Sequence, residues 1–290
     1  KIGASITSAG AQTYGALQIQ SNSVTLNSTG SSSNGAIAFN STVNSVTAAT
    51  NDLTITSGSG NITFTGAVGG AQGLGNISLT STGTTTFSST VAASTVVQNS
   101  SSGTTALNGG SISTSGVQTF GNAVTLGAAT TLTSSASGNI TFSSTVNGAY
   151  ALTVNTSGAT VFASTVGATT NLTSITTDAG GTVSFGGNIT TSGAQTYNDA
   201  ASLTAATTLS ASAITTGSTL AASTFALTLT TDAVALGGNV SGSGALVIQP
   251  KTTTTTIGLG TSASGSLHLS DTELAYLQDG FSSITLGSAS

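Results

Sequence analysis

The chain repeats itself at two lengths, which confines it to folds that stack one small unit on the next. Residues 61–66 read NITFTG and residues 139–144 read NITFSS, an offset of 78. Residues 103–121 (GTTALNGGSISTSGVQTFG) match residues 181–198 (GTVSFGGNITTSGAQTYN) at an offset of 78 that falls to 77 from Ile112 and Ile189 on. A shorter period sits inside the long one: Phe64 to Phe87 is 23 residues, Phe120 to Phe142 is 22, Phe142 to Phe162 is 20 and Phe162 to Phe185 is 23. Each interval carries two or three apolar-polar alternations, such as Val124-Thr125-Leu126, Leu152-Thr153-Val154 and Leu227-Thr228-Leu229.

Period-2 alternation over three to five residues makes short strands with one face buried, and Thr, Val, Ile and Phe suit that geometry. Ser, Thr, Gly and Asn are poor helix formers, and the charges that coat an exposed helix are missing. The pattern therefore predicts an all-β chain wound as a parallel β-solenoid, or β-helix, one coil per short repeat. Corners between strands need φ > 0, which Gly supplies, and Gly109-Gly110, Gly180-Gly181, Gly186-Gly187 and Gly237-Gly238 fall there. At about 21 residues per coil, 290 residues give roughly 13 to 14 coils and a length on the order of 65 Å at about 4.8 Å each. The whole of 1–290 reads as a single solenoid, with long repeats at 61–138 and 139–216. Inward Val, Ile, Leu and Phe stack into ladders, each buried side chain contributing about 1.5 to 3 kcal/mol.

Charge narrows the function. Two basic and seven acidic residues make up 3% of the chain, against roughly 25% in an average soluble domain. Lys1 and Lys251 cannot neutralise the 6 to 10 or so phosphates a duplex-binding surface engages, so no nucleic-acid partner is expected. Polybasic membrane docking fails for the same reason. No run reaches the 18 or so apolar residues of a membrane helix, and 13 aromatics without Trp poorly supply the girdles of a membrane barrel. Membrane insertion is therefore not expected. One proline and 37% apolar residues argue against disorder. An uncharged hydroxyl and Asn exterior should respond little to pH or salt.

Residues 268–281, HLSDTELAYLQDGF, break the pattern. Ser270 with Glu273 forms a capping box, Leu274 and Leu277 share a helical face, and Gly280 suits the position after the C-cap. The spacing predicts a two-turn helix over about 271–278, an insertion or a cover for a coil edge.

Candidate chemistry is sparse. Cleavage of acidic polysaccharide by a solenoid needs a base and paired acids. Asp52, Asp178, Asp199 and Asp232 instead stand singly beside turns, which reads as turn capping. His268, Asp271 and Glu273 are the one place where a small metal or acid-base site is conceivable, and their spacing is a weak signal for it. Cysteine is absent, and GGxGxD, P-loop and nucleophile-elbow motifs are missing. We assign no catalytic, cofactor-binding or metal-binding residue and expect no enzyme and no cofactor. The phrases Gly10-Ala11-Gln12-Thr13-Tyr14, Gly116-Val117-Gln118-Thr119-Phe120 and Gly193-Ala194-Gln195-Thr196-Tyr197 read as coils whose aromatic plugs the interior. Asn61-Ile62-Thr63 is a glycosylation sequon that a turn Asn explains equally well. Thr54-Ile55-Thr56, Thr84-Thr85-Thr86 and Thr252 to Thr256 suggest ice-binding arrays, but the motif does not recur at one phase of every coil.

The phrases GAQTY, TLTS, GNITF, TVNGAYALTVNTSG and TTDAGGTVSFGGNITTSGAQTY, with SDTELAYLQDGFSSITLG, resemble the degenerate repeats of very large bacterial surface and secreted proteins related to filamentous haemagglutinins. The resemblance covers nearly the whole chain. It implies a right-handed parallel β-helix, an extracellular or cell-surface location, and a role as stalk, fibre or adhesin, with no catalytic residue carried over. No secretion domain or N-terminal cap of that family is visible. The chain starts in a repeat phrase, SAGAQTY at 8–14, and runs past a strand to 287–290. The expectation is a slice of a longer solenoid or a unit that stacks end to end on copies of itself as a filament. A glycan is the alternative partner, as for an adhesin.

Overall fold

A computed structural model describes residues 1–29, 35–100 and 102–287; the end of the chain at 288–290 lies outside the described residues. The chain winds as a β-solenoid of about 12 turns with one short helix. It divides into two compact units, Lys1–Val146 and Asn147–Ser290. Within each unit every described strand pairing is parallel.

In the first unit each turn lays down three short strands, one on each of three faces. One face stacks Gln12–Tyr14, Ile37–Phe39, Ile62–Phe64, Thr84–Phe87, Thr104–Leu107 and Ala123–Leu126. A second runs from Leu17–Ile19 and Val43–Ser45 through Val68 and Val91 to Ser111–Thr114 and Thr130–Ser134. The third stacks Ser23–Asn27, Asp52–Gly58, Leu74–Ser81, the second half of Val91–Gln98, Gln118–Phe120 and Ile140–Phe142.

The second unit repeats the plan. Ala151–Thr156, Ser174–Thr177, Gln195–Tyr197, Ile214–Thr216 and Val234–Leu236 form one face. Ala159–Phe162, Thr182–Phe185, Ala200–Leu203, Leu220–Ser223 and Val240–Gly242 form the next. Val166, Ile189–Thr190, Thr207–Ser210, Leu227–Thr230, Ala245–Gln249 and Ser283–Leu286 form the third.

Turn length explains why 13 to 14 coils were too many. The stacked residues Tyr14, Phe39, Phe64, Phe87, Leu107 and Leu126 are 25, 25, 23, 20 and 19 residues apart. Val166, Ile189, Leu209, Leu229, Ile248 and Leu286 are 23, 20, 20, 19 and 38 apart. The 38-residue interval holds an excursion: a parallel pair, Ile257–Leu259 with Leu267–Leu269, and then the helix.

Alternation places the core as the spacing requires. Val124, Leu126, Leu152, Val154, Leu227 and Leu229 are all buried, with Thr125, Thr153 and Thr228 turned outward between them. Parallel in-register stacking puts like on like, so Tyr14, Phe39, Phe64 and Phe87 form a ladder with ring centroids 5.3, 4.8 and 5.2 Å apart. Phe120 and Phe142 stack at 5.3 Å on a different face, and Phe162 and Phe185 at 6.4 Å. Each such pair adds about 0.5–1.5 kcal/mol to simple burial.

Glycine corners work in two ways. Gly110 and Gly180 take positive φ, at 76° and 106°, as expected of a corner. Gly109 and Gly237 do not, and their need is for space: a Cβ there would lie 2.0 Å from the Ser89 carbonyl oxygen and 2.4 Å from that of Thr216.

The helix spans Asp271–Tyr276 and carries the expected capping box, with Ser270 Oγ accepting from Glu273 N and Glu273 Oε2 from Ser270 N. It stops two residues before the expected end. Leu277 is already extended and bridges Val240 as a solenoid residue, so it shares no helical face with Leu274. Gly280 accordingly falls beyond the cap, with φ 120°. Strand pairing with the turn below wins over a second helical turn whose side chains find no burial.

Candidate functional site

Residues 268–281 hold the densest group of ionisable side chains, His268, Asp271, Glu273 and Asp279. His268 sits on Leu267–Leu269, and its Nε2 lies 3.0 Å from the Gly260 carbonyl oxygen. Glu273 points back into the solenoid. Its Oε2 accepts from Ser270 N at 2.9 Å, and its Oε1 from Leu236 N at 3.1 Å. Burial opposes ionisation of Glu273, but these donors and the nearby His268 outweigh it and hold the carboxyl below its usual range. Asp271 is exposed at the helix start. The three side chains thus face separate tasks, and among the described residues no three His, Cys, Asp or Glu side chains are grouped to hold a metal ion.

The scattered aspartates sit at corners and bind backbone. Asp52 Oδ1 accepts from Asn76 N at 2.6 Å, Asp178 Oδ1 from Thr156 N at 2.9 Å and Asp199 Oδ1 from Gly181 N at 2.8 Å. Asp279 Oδ1 accepts from Gly280 N at 2.9 Å. Asp232 gathers four donors: Lys251 N at 3.1 Å, Thr252 N at 2.7 Å, Thr252 Oγ1 at 2.6 Å and Thr255 Oγ1 at 2.8 Å. The Thr252 hydroxyl is the main reason its carboxyl is held below the usual range, with burial opposing and the other donors assisting. Lys251 Nζ donates to the Thr191 carbonyl at 2.8 Å. The Thr252–Thr256 run, a candidate array in the sequence, is therefore a link clasped by Asp232 and lies outside the strands.

The Gly-x-Gln-Thr-aromatic phrases are corner devices. Phe120 and Tyr197 fill the interior as expected, while Tyr14 is only partly buried. The glutamine beside each, unremarked in the sequence because it is polar, points inward too. Gln12, Gln118 and Gln195 are buried, and each donates from Nε2 to a carbonyl 15 residues on: Asn27 at 2.8 Å, Thr133 at 2.9 Å and Ser210 at 3.0 Å. Four residues before each glutamine a hydroxyl closes the same corner, Ser8 onto Gly10, Thr114 onto Gly116 and Thr191 onto Gly193. The signal was present in the thrice-repeated Gly-x-Gln-Thr-aromatic phrase, whose glutamine stacks on an isoleucine of the neighbouring turn: Ile37 on Gln12, Ile140 on Gln118 and Ile214 on Gln195.

Outward threonines recur at one phase over only part of the chain, and the file ends at Ala235. Thr153, Thr176, Thr196 and Thr215 stand in register on four successive turns of the second unit. The file is single, because the outward neighbours two positions on are Asn155, Asp178, Asn198 and Gly217. Asn61 of the sequon is exposed, and its Oδ1 accepts from Thr84 N at 2.9 Å, as a turn residue does.

Among the described residues there is no pocket, and no helix is long and apolar enough to cross a membrane. Compared with family models, curated proteins and solved structures, the chain matches none of them.

Proposed function

We propose that the chain is a structural, non-catalytic segment of an extracellular fibre or surface stalk, either stacked on copies of itself or continued by further repeats of the same solenoid. One observation carries the reading. Asp52, Asp178, Asp199, Asp232, Glu273 and Asp279, six of the seven acids, accept backbone N–H groups, and Lys251 and His268 engage backbone carbonyls. Groups that in an enzyme would be free to meet a substrate are committed here to holding turns together. The extracellular setting rests on the likeness of the repeat phrases to bacterial surface proteins. Electron microscopy and fibre diffraction of the purified chain test the proposal: filaments with an axial spacing near 4.8 Å are expected. A monodisperse particle that binds one glycan saturably would favour an adhesin instead.

The threonine file supports a second reading, an ice-binding face, since Thr153, Thr176, Thr196 and Thr215 present hydroxyls and methyls at about one strand spacing. An ice recrystallisation assay decides it, with Thr176→Lys abolishing any inhibition the parent shows.

A further inference from the structure

Asn122 and Asp199 occupy one place in the long repeat. QTFGNAVTL at 118–126 and QTYNDAASL at 195–203 align residue for residue, and both positions are buried in the link between two strands, 2% and 1% exposed. Asn122 is satisfied at both ends: Oδ1 accepts from Gly103 N at 3.3 Å, and Nδ2 donates to the Ser81 carbonyl at 3.5 Å. Asp199 is satisfied at one. Its Oδ1 accepts from Gly181 N at 2.8 Å, and its Oδ2 is buried with no hydrogen-bond partner.

The surroundings match as well. A Cβ built on Gly103 would lie 2.8 Å from the Ser81 carbonyl oxygen, and one built on Gly181 would lie 2.7 Å from that of Thr156. The Thr156 carbonyl therefore neighbours Gly181 as the Ser81 carbonyl neighbours Gly103. An amide brings its own hydrogen to such a carbonyl, whereas an ionised carboxylate brings only repulsion between two acceptors. We propose that Asp199 is carried in the folded chain as the neutral acid, its Oδ2 hydrogen donated to the Thr156 carbonyl, so that its ionisation loosens this corner and makes it a pH-sensitive latch.

Three further groups bear on this hydrogen. Burial raises the Asp199 carboxyl above its usual range, and the Asp178 carboxylate pushes the same way. The Gly181 N–H opposes, as does the Thr177 hydroxyl, which lies near but is itself without a hydrogen-bond partner. Of the links stacked around Asp199, at 157–158, 178–181 and 217–219, only the second carries an ionisable side chain, Asp178; on its own turn there is Tyr197, whose phenol burial pushes up. The matched amide of Asn122 argues for a hydrogen rather than a metal ion at Oδ2.

With the folded value raised, the latch contributes fully below the unfolded value and is lost as pH rises through the folded one. Carboxyl 13C NMR of the full chain, with melts of the parent, Asp199→Asn and Asn122→Asp between pH 4 and pH 7, tests this. The Asp199 carboxyl should titrate above the ordinary 3.8. Asp199→Asn should raise the melting temperature at pH 7 more than at pH 4, and Asn122→Asp should lower it more at pH 7 than at pH 4. An Asp199 carboxyl titrating at or below the ordinary value overturns the proposal, as does an Asp199→Asn chain that melts lower than the parent at pH 7. Stabilisation of the parent by calcium at pH 7 that Asp199→Asn abolishes would overturn it too, in favour of a cation site. Should Asp199→Asn not fold, the Asn122→Asp comparison and the NMR titration still decide.

Discussion

Removing one oxygen atom tests the internal corner most sharply. In Tyr197→Phe the ring stays in place against Phe185, whose centroid is 4.8 Å away edge-on, and only the phenol is lost. That phenol donates to Gln195 Oε1 at 3.2 Å, while Gln195 Nε2 holds the carbonyls of Ile189 and Ser210 at 3.1 and 3.0 Å. The substitution leaves Oε1 buried without a donor, at a cost of about 1–3 kcal/mol. The first unit argues for the lower part of that range. There Phe120 already occupies the matching place, and Gln118 Oε1 is buried without a partner in the native chain. A loss of about 1–2 kcal/mol corresponds to a fall of about 5- to 30-fold in the protection of neighbouring amides. Hydrogen exchange measured by mass spectrometry suits a stacked fold, in which a turn opens with its neighbours rather than with the whole chain. Peptides covering 189–197 and 207–216 should exchange faster and those covering 104–126 should not change. The reciprocal Phe120→Tyr should gain about 0.5–1.5 kcal/mol by supplying the missing donor to Gln118, less any cost of crowding Phe142. Unchanged protection in Tyr197→Phe together with a destabilised Phe120→Tyr would refute the reasoning.

Trypsin has Lys1 and Lys251 as its only sites; the folded chain should resist cleavage after Lys251, and Asp232→Ala, which frees the 251–255 link, should make it cut there readily on a gel. Asp232 and Glu273 have folded values below their unfolded ones, so their stabilisation is present above the unfolded value and lost as pH falls through the folded value. Melts below pH 4 should therefore show a decline that Asp232→Asn makes shallower. Gly109→Ala places a Cβ about where the Ser89 carbonyl oxygen already sits, 2.0 Å away, and should cost on the order of 1–3 kcal/mol in a thermal melt.

Much of the fold was legible because apolar alternation and stacking say the same thing twice. Residues such as Leu152 and Val154 mark a strand by themselves, and the Phe64–Phe87, Phe120–Phe142 and Phe162–Phe185 intervals mark the turns because in-register rings stack. The turn count ran high because an average period cannot reveal the 25-residue early turns or the excursion at 257–276. The helix end was missed since a capping box announces a start, whereas its stop was set by Leu277 pairing with Val240, a partner 37 residues away. Inward glutamines were not visible as core, because polarity normally signals the outside; only the backbone carbonyls of neighbouring turns make them welcome there. The expectation of indifference to pH needs amending for the same reason. A sparse set of acids can still be strongly coupled to the fold when Asp199, Asp232 and Glu273 each bind backbone.

Register-specific disulfide formation tests the stacked parallel winding most directly, and a chain without cysteine offers a clean background. In the second unit Thr176 and Thr196 face outward on adjacent turns in register, a parallel neighbour spacing near 4.8 Å that a disulfide tolerates. Thr176→Cys combined with Thr196→Cys should close rapidly under mild oxidation in the folded chain, whereas Thr176→Cys with Thr215→Cys, two turns apart, should not. Equal closure of both pairs, or closure of neither, would contradict the winding.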